Sequence, residues 1–280
     1  MKTNLIYYSL AAALFISCNT PRYVYAPSPP NTPFFREKGD SKISGAYSIG
    51  NDEGNGERNR GYDIQAAYAV SDHWAITFDH FYRREKDIYN FYEYSGFDSS
   101  TVKYKRQITS VGAGYFHEMN RRGTVIFNLY AGVGFGKFNI DDHGIDDTLA
   151  LYSRFHESNV TKWYLQPAIN FMPGTAFWCS VSTRFVFIKY SDVKTSYSPD
   201  EQERYDLKNL DNRVLTFFEP SYNMLIGVPH CSWLKINAGI AFSANISSDN
   251  NDGYGIRYHS RGVTGSFGLT FVPSKLREKK

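Results

Sequence analysis

The side chains best suited to chemistry gather in one short stretch: Asp141, Asp142, His143, Asp146 and Asp147. Carboxylates beside an imidazole can share general acid–base work, one group accepting a proton that another holds. A hydrolytic site of that kind needs a second acidic pair facing the first. The other Asp-His neighbours, Asp72 and His73, fall in a separate short turn. The plainer reading of loop acids is a solvated surface. A second cluster, Asp249, Asn251, Asp252 and Gly253, has oxygen ligands at a spacing that suits calcium. It lacks the distal glutamate of an EF-hand, and a turn of Asn, Asp and Gly forms without an ion. The chain has no phosphate-binding glycine loop, Gly-x-Ser-x-Gly elbow, His-Glu-x-x-His or paired-cysteine metal motif. The expectation is no catalytic residue, no metal and no cofactor. Cys179 and Cys231 lie near short turns on neighbouring hairpins, where an oxidising compartment permits a disulfide. Bonded and free states both stay open, because bonding requires Cα atoms within about 7 Å.

The third cysteine sits where its chemistry depends on the chain start. Lys2 supplies a positive charge, Leu5 to Ile16 is an apolar run, and Ser17 and Cys18 follow. That order marks a secretory signal peptide over residues 1–17, and the run is too short for a spanning helix. Leu14-Phe15-Ile16-Ser17-Cys18 resembles the lipobox of bacterial lipoproteins, with Phe15 where Leu is usual. The resemblance implies that Cys18 is lipidated and becomes the first mature residue. Residues 18–40 carry Pro21, Pro27, Pro29, Pro30 and Pro33 and read as an extended tether.

From Ile43 onward the hydrophobic period is two. In 233–246, Leu234, Ile236, Ala238, Ile240, Phe242, Ala244 and Ile246 share one face, opposite Lys235, Asn237, Gly239 and Ser243. The spacing predicts strands over 42–50, 61–70, 74–84, 106–118, 124–138, 160–172, 176–190, 213–228, 233–246 and 262–272. Short turns alternate with long polar connections near 51–60, 85–105, 139–159, 191–212 and 247–261. An even strand count with unequal loops predicts an all-β, antiparallel up-and-down transmembrane β-barrel over 41–273, about ten strands, with a basic periplasmic tail over 274–280. Parity places both termini on the short-turn, periplasmic side. Trp74, Trp178 and Trp233 follow short turns and read as an interfacial girdle.

With the apolar face against lipid, Asp63, Asp79, Arg83, Lys162, Arg184, Glu219 and Lys235 point into the lumen. Their mixed signs predict a paired polar network, since isolated buried charge is costly. About ten strands enclose little more than their own side chains, so a nearly closed interior is expected over a diffusion pore. The formal charge of +3, without a basic patch interleaved with aromatics, argues against nucleic acid as a partner.

Asn31-Thr32-Pro33, Lys38-Gly39-Asp40, Ile43 to Tyr47 and Asp63 to His73 together resemble a family of Bacteroidota outer-membrane β-barrel lipoproteins. The resemblance is clearest over roughly the first eighty residues. It implies the same compartment and architecture and transfers no catalytic residue. The expected function is a non-enzymatic, lipid-anchored outer-membrane barrel, structural or an accessory subunit of an envelope assembly. Its expected partners are outer-membrane lipid and a protein of that assembly. Surface adhesion or ligand binding is the alternative, followed by a narrow solute channel. A rim hydrolase built like the ten-stranded omptins comes last.

Overall fold

The computed structural model describes residues 22–50, 59–93, 96–145, 148–247 and 258–274. Ten long strands follow the predicted alternation: β2 (Ser41–Gly50), β3 (Arg60–Ala69), β4 (Trp74–Glu93), β5 (Gly96–Glu118), β6 (Val125–Ile145), β7 (Leu151–Phe171), β8 (Phe177–Thr195), β9 (Val214–Val228), β10 (Cys231–Phe242) and β13 (Val263–Phe271). Three short strands accompany them: β1 (Tyr23–Tyr25), β11 (Ala244–Asn245) and β12 (His259–Ser260). Each long strand pairs antiparallel with its neighbours, β13 pairs with β2, and β9 pairs with β10. The ring is therefore closed and has no free edge.

Around the ring the residue types are inside out. Ile43, Tyr47, Ile64, Ile76, Leu129, Trp163, Val181, Phe267 and Leu269 face outward and are exposed. Ser44, Ser48, Gln65, Thr77, Asn128, Ser182 and Asn223 face inward and are buried. An apolar belt outside and polar side chains inside is the arrangement of a membrane-spanning barrel.

Above the belt, at the rim of the long connections, the pattern inverts. The connections predicted at 85–105 and 139–159 are largely continued strand, and that at 191–212 continues as strand only to Thr195. Pairing holds to Glu93 opposite Gly96 and to Ile145 opposite Leu151. There Val102, Tyr104, Ile140, Val186, Ile188 and Phe217 point inward and are buried. Lys103, Lys105, Asp141, Glu157 and Lys194 point outward and are exposed. Strand geometry continues while the solvent changes from lipid to water, so the apolar face moves inside. Sequence reading took these extensions for loops because the outer face loses its apolar residues at that height. Beyond β8, a short helix (Pro199–Arg204) starts at a capping box in which Ser198 and Glu201 each bond the other's backbone. This connection brings Tyr197, Leu207 and Leu210 into the buried cluster at the upper rim.

Candidate functional site

The lumen is occupied by the chain's own beginning. Arg22 lies at the upper rim, where its backbone donates to the Tyr205 carbonyl at 3.1 Å and its guanidinium meets Asp142 at 2.6 Å. Residues Tyr23–Tyr25 pair in parallel with His259–Ser260. Ser28 lies beside Arg184, and Asn31 lies beside Lys42. Phe34 and Phe35 reach the short-turn rim against Trp178 and Phe116, with ring centroids 5.4 and 5.9 Å apart. Residues 22–27 and 30–35 are fully buried, and β2 then begins its ascent at Ser41.

Two expectations are corrected here. The proline-rich segment is extended, yet from Arg22 to Phe35 it lines the barrel axis and is not an external tether. Strand parity places the start of β2 and the end of β13 at the short-turn rim, but the axial segment returns the chain to the other side. The described chain starts at the long-connection rim with Arg22 and ends near the opposite one, where Val272 donates to the Trp233 carbonyl at 2.8 Å.

The composition of the segment suits this position. Proline has no N–H, so Pro27, Pro29, Pro30 and Pro33 bring no donor that burial would orphan. What remains to satisfy is carbonyl oxygen, and the wall supplies donors at successive heights. Arg106 donates to the Tyr23 carbonyl and Tyr190 to that of Val24, the latter at 2.8 Å. Arg184 serves Ser28 at 2.6 Å, Gln65 serves Pro29 at 2.8 Å, Gln166 serves Asn31 at 2.8 Å and Asn170 serves Pro33 at 2.7 Å.

The lumen charges predicted from parity all face inward, and most have partners there. Arg184 holds Glu219 at 2.6 Å, and Arg83 reaches Asp63 at 3.5 Å while Ser48 also donates to Asp63. Asp79, Lys162 and Arg184 line one small internal cavity with Tyr25 and Ser28. Lys235 donates to the Thr175 carbonyl at 2.7 Å and stands 3.8 Å over the Trp178 ring. A second network near the upper rim escaped sequence reading. Glu85 bonds Arg106 and lies 3.5 Å from Arg261, which in turn holds Asp87 at 2.6 Å. Glu85 and Asp87 share the inward parity of Arg83, a signal hidden because 85–105 reads as loop, while Arg106 opens the strand predicted over 106–118.

Other expected features are placed differently. Trp74 is exposed on the outer face and Trp233 is half-buried against Phe271, with centroids 5.5 Å apart. Trp178 is buried inside the barrel and leaves the proposed girdle; its parity matches Ser180, Ser182 and Arg184. Cys179 and Cys231 are free thiols. Cys179 pairs with Met224 and Cys231 with Val228, so they stand four β9 positions apart, about 13 Å along the strand and beyond disulfide reach. Asp142 points inward and accepts from Arg22, Ser100 at 2.9 Å and Tyr197 at 2.8 Å. Asp141 and His143 face outward, so the strand splits the cluster that sequence reading grouped as acid–base groups. Asp146, Asp147, Asp249, Asn251, Asp252, Gly253, Cys18 and the tail beyond Ser274 lie outside the described residues. Among those described, no three His, Cys, Asp or Glu side chains gather as metal ligands.

His156 sits above the belt, facing Ile140 across the ladder, with its ring 5.8 Å from Phe138. Burial pushes its pKa down to about 4, against a weaker opposing pull from Asp211. Neither ring nitrogen has a hydrogen-bond partner among the described residues.

No family model and no curated protein matches the chain. Among solved structures it is similar to Ail, the attachment invasion locus protein of Yersinia pestis, at 22% identity over 56% of this chain and 92% of that one, with a TM-score of 0.28. The translocator domain of the autotransporter NalP from Neisseria meningitidis shares 12% identity over 84% and 88%, at a TM-score of 0.46. The outer membrane protease OmpT from Escherichia coli shares 9% over 83% and 95%, at 0.45. Likeness at this level concerns the barrel fold alone.

Proposed function

We propose that this chain is a non-enzymatic outer-membrane β-barrel lipoprotein, stoppered by its own N-terminal segment, that serves as a structural or accessory component of the envelope. The observation that carries the reading is the filled lumen. Residues 22–35 occupy the axis and bond the wall from β3 to β8. The split of Asp142 from Asp141 and His143 argues against a rim hydrolase of the expected kind. The resemblance of the N-terminal stretches to Bacteroidota lipoproteins agrees with this compartment.

The axial path also bears on the anchor. Cys18 precedes Arg22 by four residues, a reach of at most about 14 Å. A lipid on Cys18 would therefore enter the leaflet beside the long-connection rim, the outer leaflet, and not the inner one. Surface binding is the second reading, supported by the hairpins β4–β5 and β6–β7 that continue above the belt.

Purified chain in planar bilayers tests the stopper: no steady ion conductance is expected, and a stable open channel would overturn it. Palmitate labelling of wild type and Cys18→Ala tests the anchor, with label expected on the wild type alone. An epitope placed after Cys18 should bind antibody on intact cells; protection until permeabilisation would put the anchor on the periplasmic side. A stoichiometric copurifying envelope protein would favour the accessory role over adhesion.

A further inference from the structure

The outer surface just above the apolar belt carries a block of positive charge. In one row across the ladder, Arg60 of β3 is paired with Arg84 of β4, and Arg84 with Lys105 of β5. In the next row up, Lys86 is paired with Lys103. Paired positions on neighbouring strands lie about 5 Å apart, and alternate positions along a strand about 7 Å apart. Arg60, Arg84, Lys103 and Lys105 are exposed and Lys86 is half-buried, and with Asp141, Tyr104 and the buried Glu85 they border one shallow depression. Like charges directly opposite one another weaken a sheet. None of these five cations forms an ion pair with a described carboxylate, although Asp141 faces Lys103 in the ladder.

Height gives the block its meaning. Directly below the Arg60–Arg84 row, Tyr62 and Tyr82 stack with centroids 5.1 Å apart. Below them come the exposed Ile64, Phe78 and Ile76. Tyrosine marks the membrane–water interface, so the cations stand at headgroup level. Next to Arg60 the ladder turns apolar, with Ile49 of β2 paired to it, and farther round β9 presents Val214 and Thr216; Lys137 of β6 and Lys189 of β8 are exposed single lysines. Among the described residues, only on β3–β5 do the paired positions set cation directly against cation.

We infer that the β3–β5 arc is a binding site for the phosphate-bearing headgroup of an outer-leaflet glycolipid. A headgroup carrying two phosphates would supply anions to the described cations that hold no ion pair, with guanidinium forks suited to phosphate oxygens. This rests on the membrane-spanning orientation proposed above.

The test places full-length protein in nanodiscs with diphosphorylated lipid A or its dephosphorylated form, and measures bound lipid by native mass spectrometry. Heat modifiability on gels reports insertion separately. Phosphorylated lipid should be retained in preference, and Arg84→Gln with Lys105→Gln should weaken retention about thirtyfold while the heat-modifiable band remains. Equal retention of both lipids, or undiminished retention by the inserted variant, would overturn this inference alone. Binding of soluble sulfated glycan with no lipid preference would likewise overturn it and assign the arc to a soluble polyanion. Failure to insert would remove both this inference and the membrane orientation.

Discussion

Glu85 is a single carboxylate between two guanidinium groups, those of Arg106 and Arg261, and all three are buried. Such an arrangement adds little net stability over an apolar core, but removing one member leaves uncompensated charge. Glu85→Gln is therefore expected to cost about 3–5 kcal/mol, read as a lowered urea midpoint in micelles. A change near zero would mean that water solvates these groups. His156 gives a pH dependence of definite sign. Its unfolded imidazole takes a proton near pH 6.5 and the folded one near 4, so between them the unfolded chain binds more protons. Stability should fall as pH drops from about 6.5 to 4, by up to about 3 kcal/mol, and then level off. His156→Phe should remove this component. The difference between wild type and variant at pH 7 and at pH 4.5 isolates it from the carboxylates, and equal acid sensitivity of the two would refute it.

Elements are held to one another mainly through groups far apart in sequence. Gln166 and Asn170 of β7 serve the carbonyls of Asn31 and Pro33, residues more than a hundred positions away. Replacing both with Leu orphans two buried carbonyls, at about 1–3 kcal/mol each. Hydrogen exchange should quicken at the amides of Asn31, Thr32, Phe34 and Phe35 while the β6–β7 ladder stays protected; uniform loosening of the whole ring would contradict a separable stopper. Gly112 has a local reason of its own, because a Cβ there would overlap the Tyr164 hydroxyl and crowd Thr77. Gly112→Val should thus displace Tyr164 inward and lower stability, against little effect for Gly45→Val, where no atom lies within 4 Å. These contacts explain what the sequence could and could not reveal. Strands in the belt were legible because lipid and lumen select opposite residue types at period two. Asp63, Asp79, Arg184 and Glu219 followed from that parity. The axial segment has no period and no apolar face, and its burial depends on donors scattered over later strands, so it read as a linker. The upper arcs misled for a related reason: above the lipid the same parity carries the reverse polarity.

At the scale of the whole molecule, three layers stack inside one ring. Tyr104, Ile140, Val186 and Phe217 interleave with the Glu85, Asp87, Arg106 and Arg261 charges at the upper end, the polar lumen lies between, and Phe34, Phe35, Phe116, Ile126, Met172 and Trp178 fill the lower end. Burial throughout strengthens the pairing of these charges. Replacing Arg184, Gln166 and Asn170 together with Leu should loosen the axial chain and produce flickering conductance in planar bilayers where the wild type is silent. A silent triple variant would show that the two packed ends suffice by themselves.

The axial segment also constrains the order of events in biogenesis. A thread that runs the length of a filled ring is not easily passed through it afterwards. The first residues must already lie along the future axis when the last strand, Val263–Phe271, meets Ser41–Gly50 and Cys231–Phe242. Closure is then a one-way step. The nascent barrel folds around its own axial segment as staves are set around a spindle.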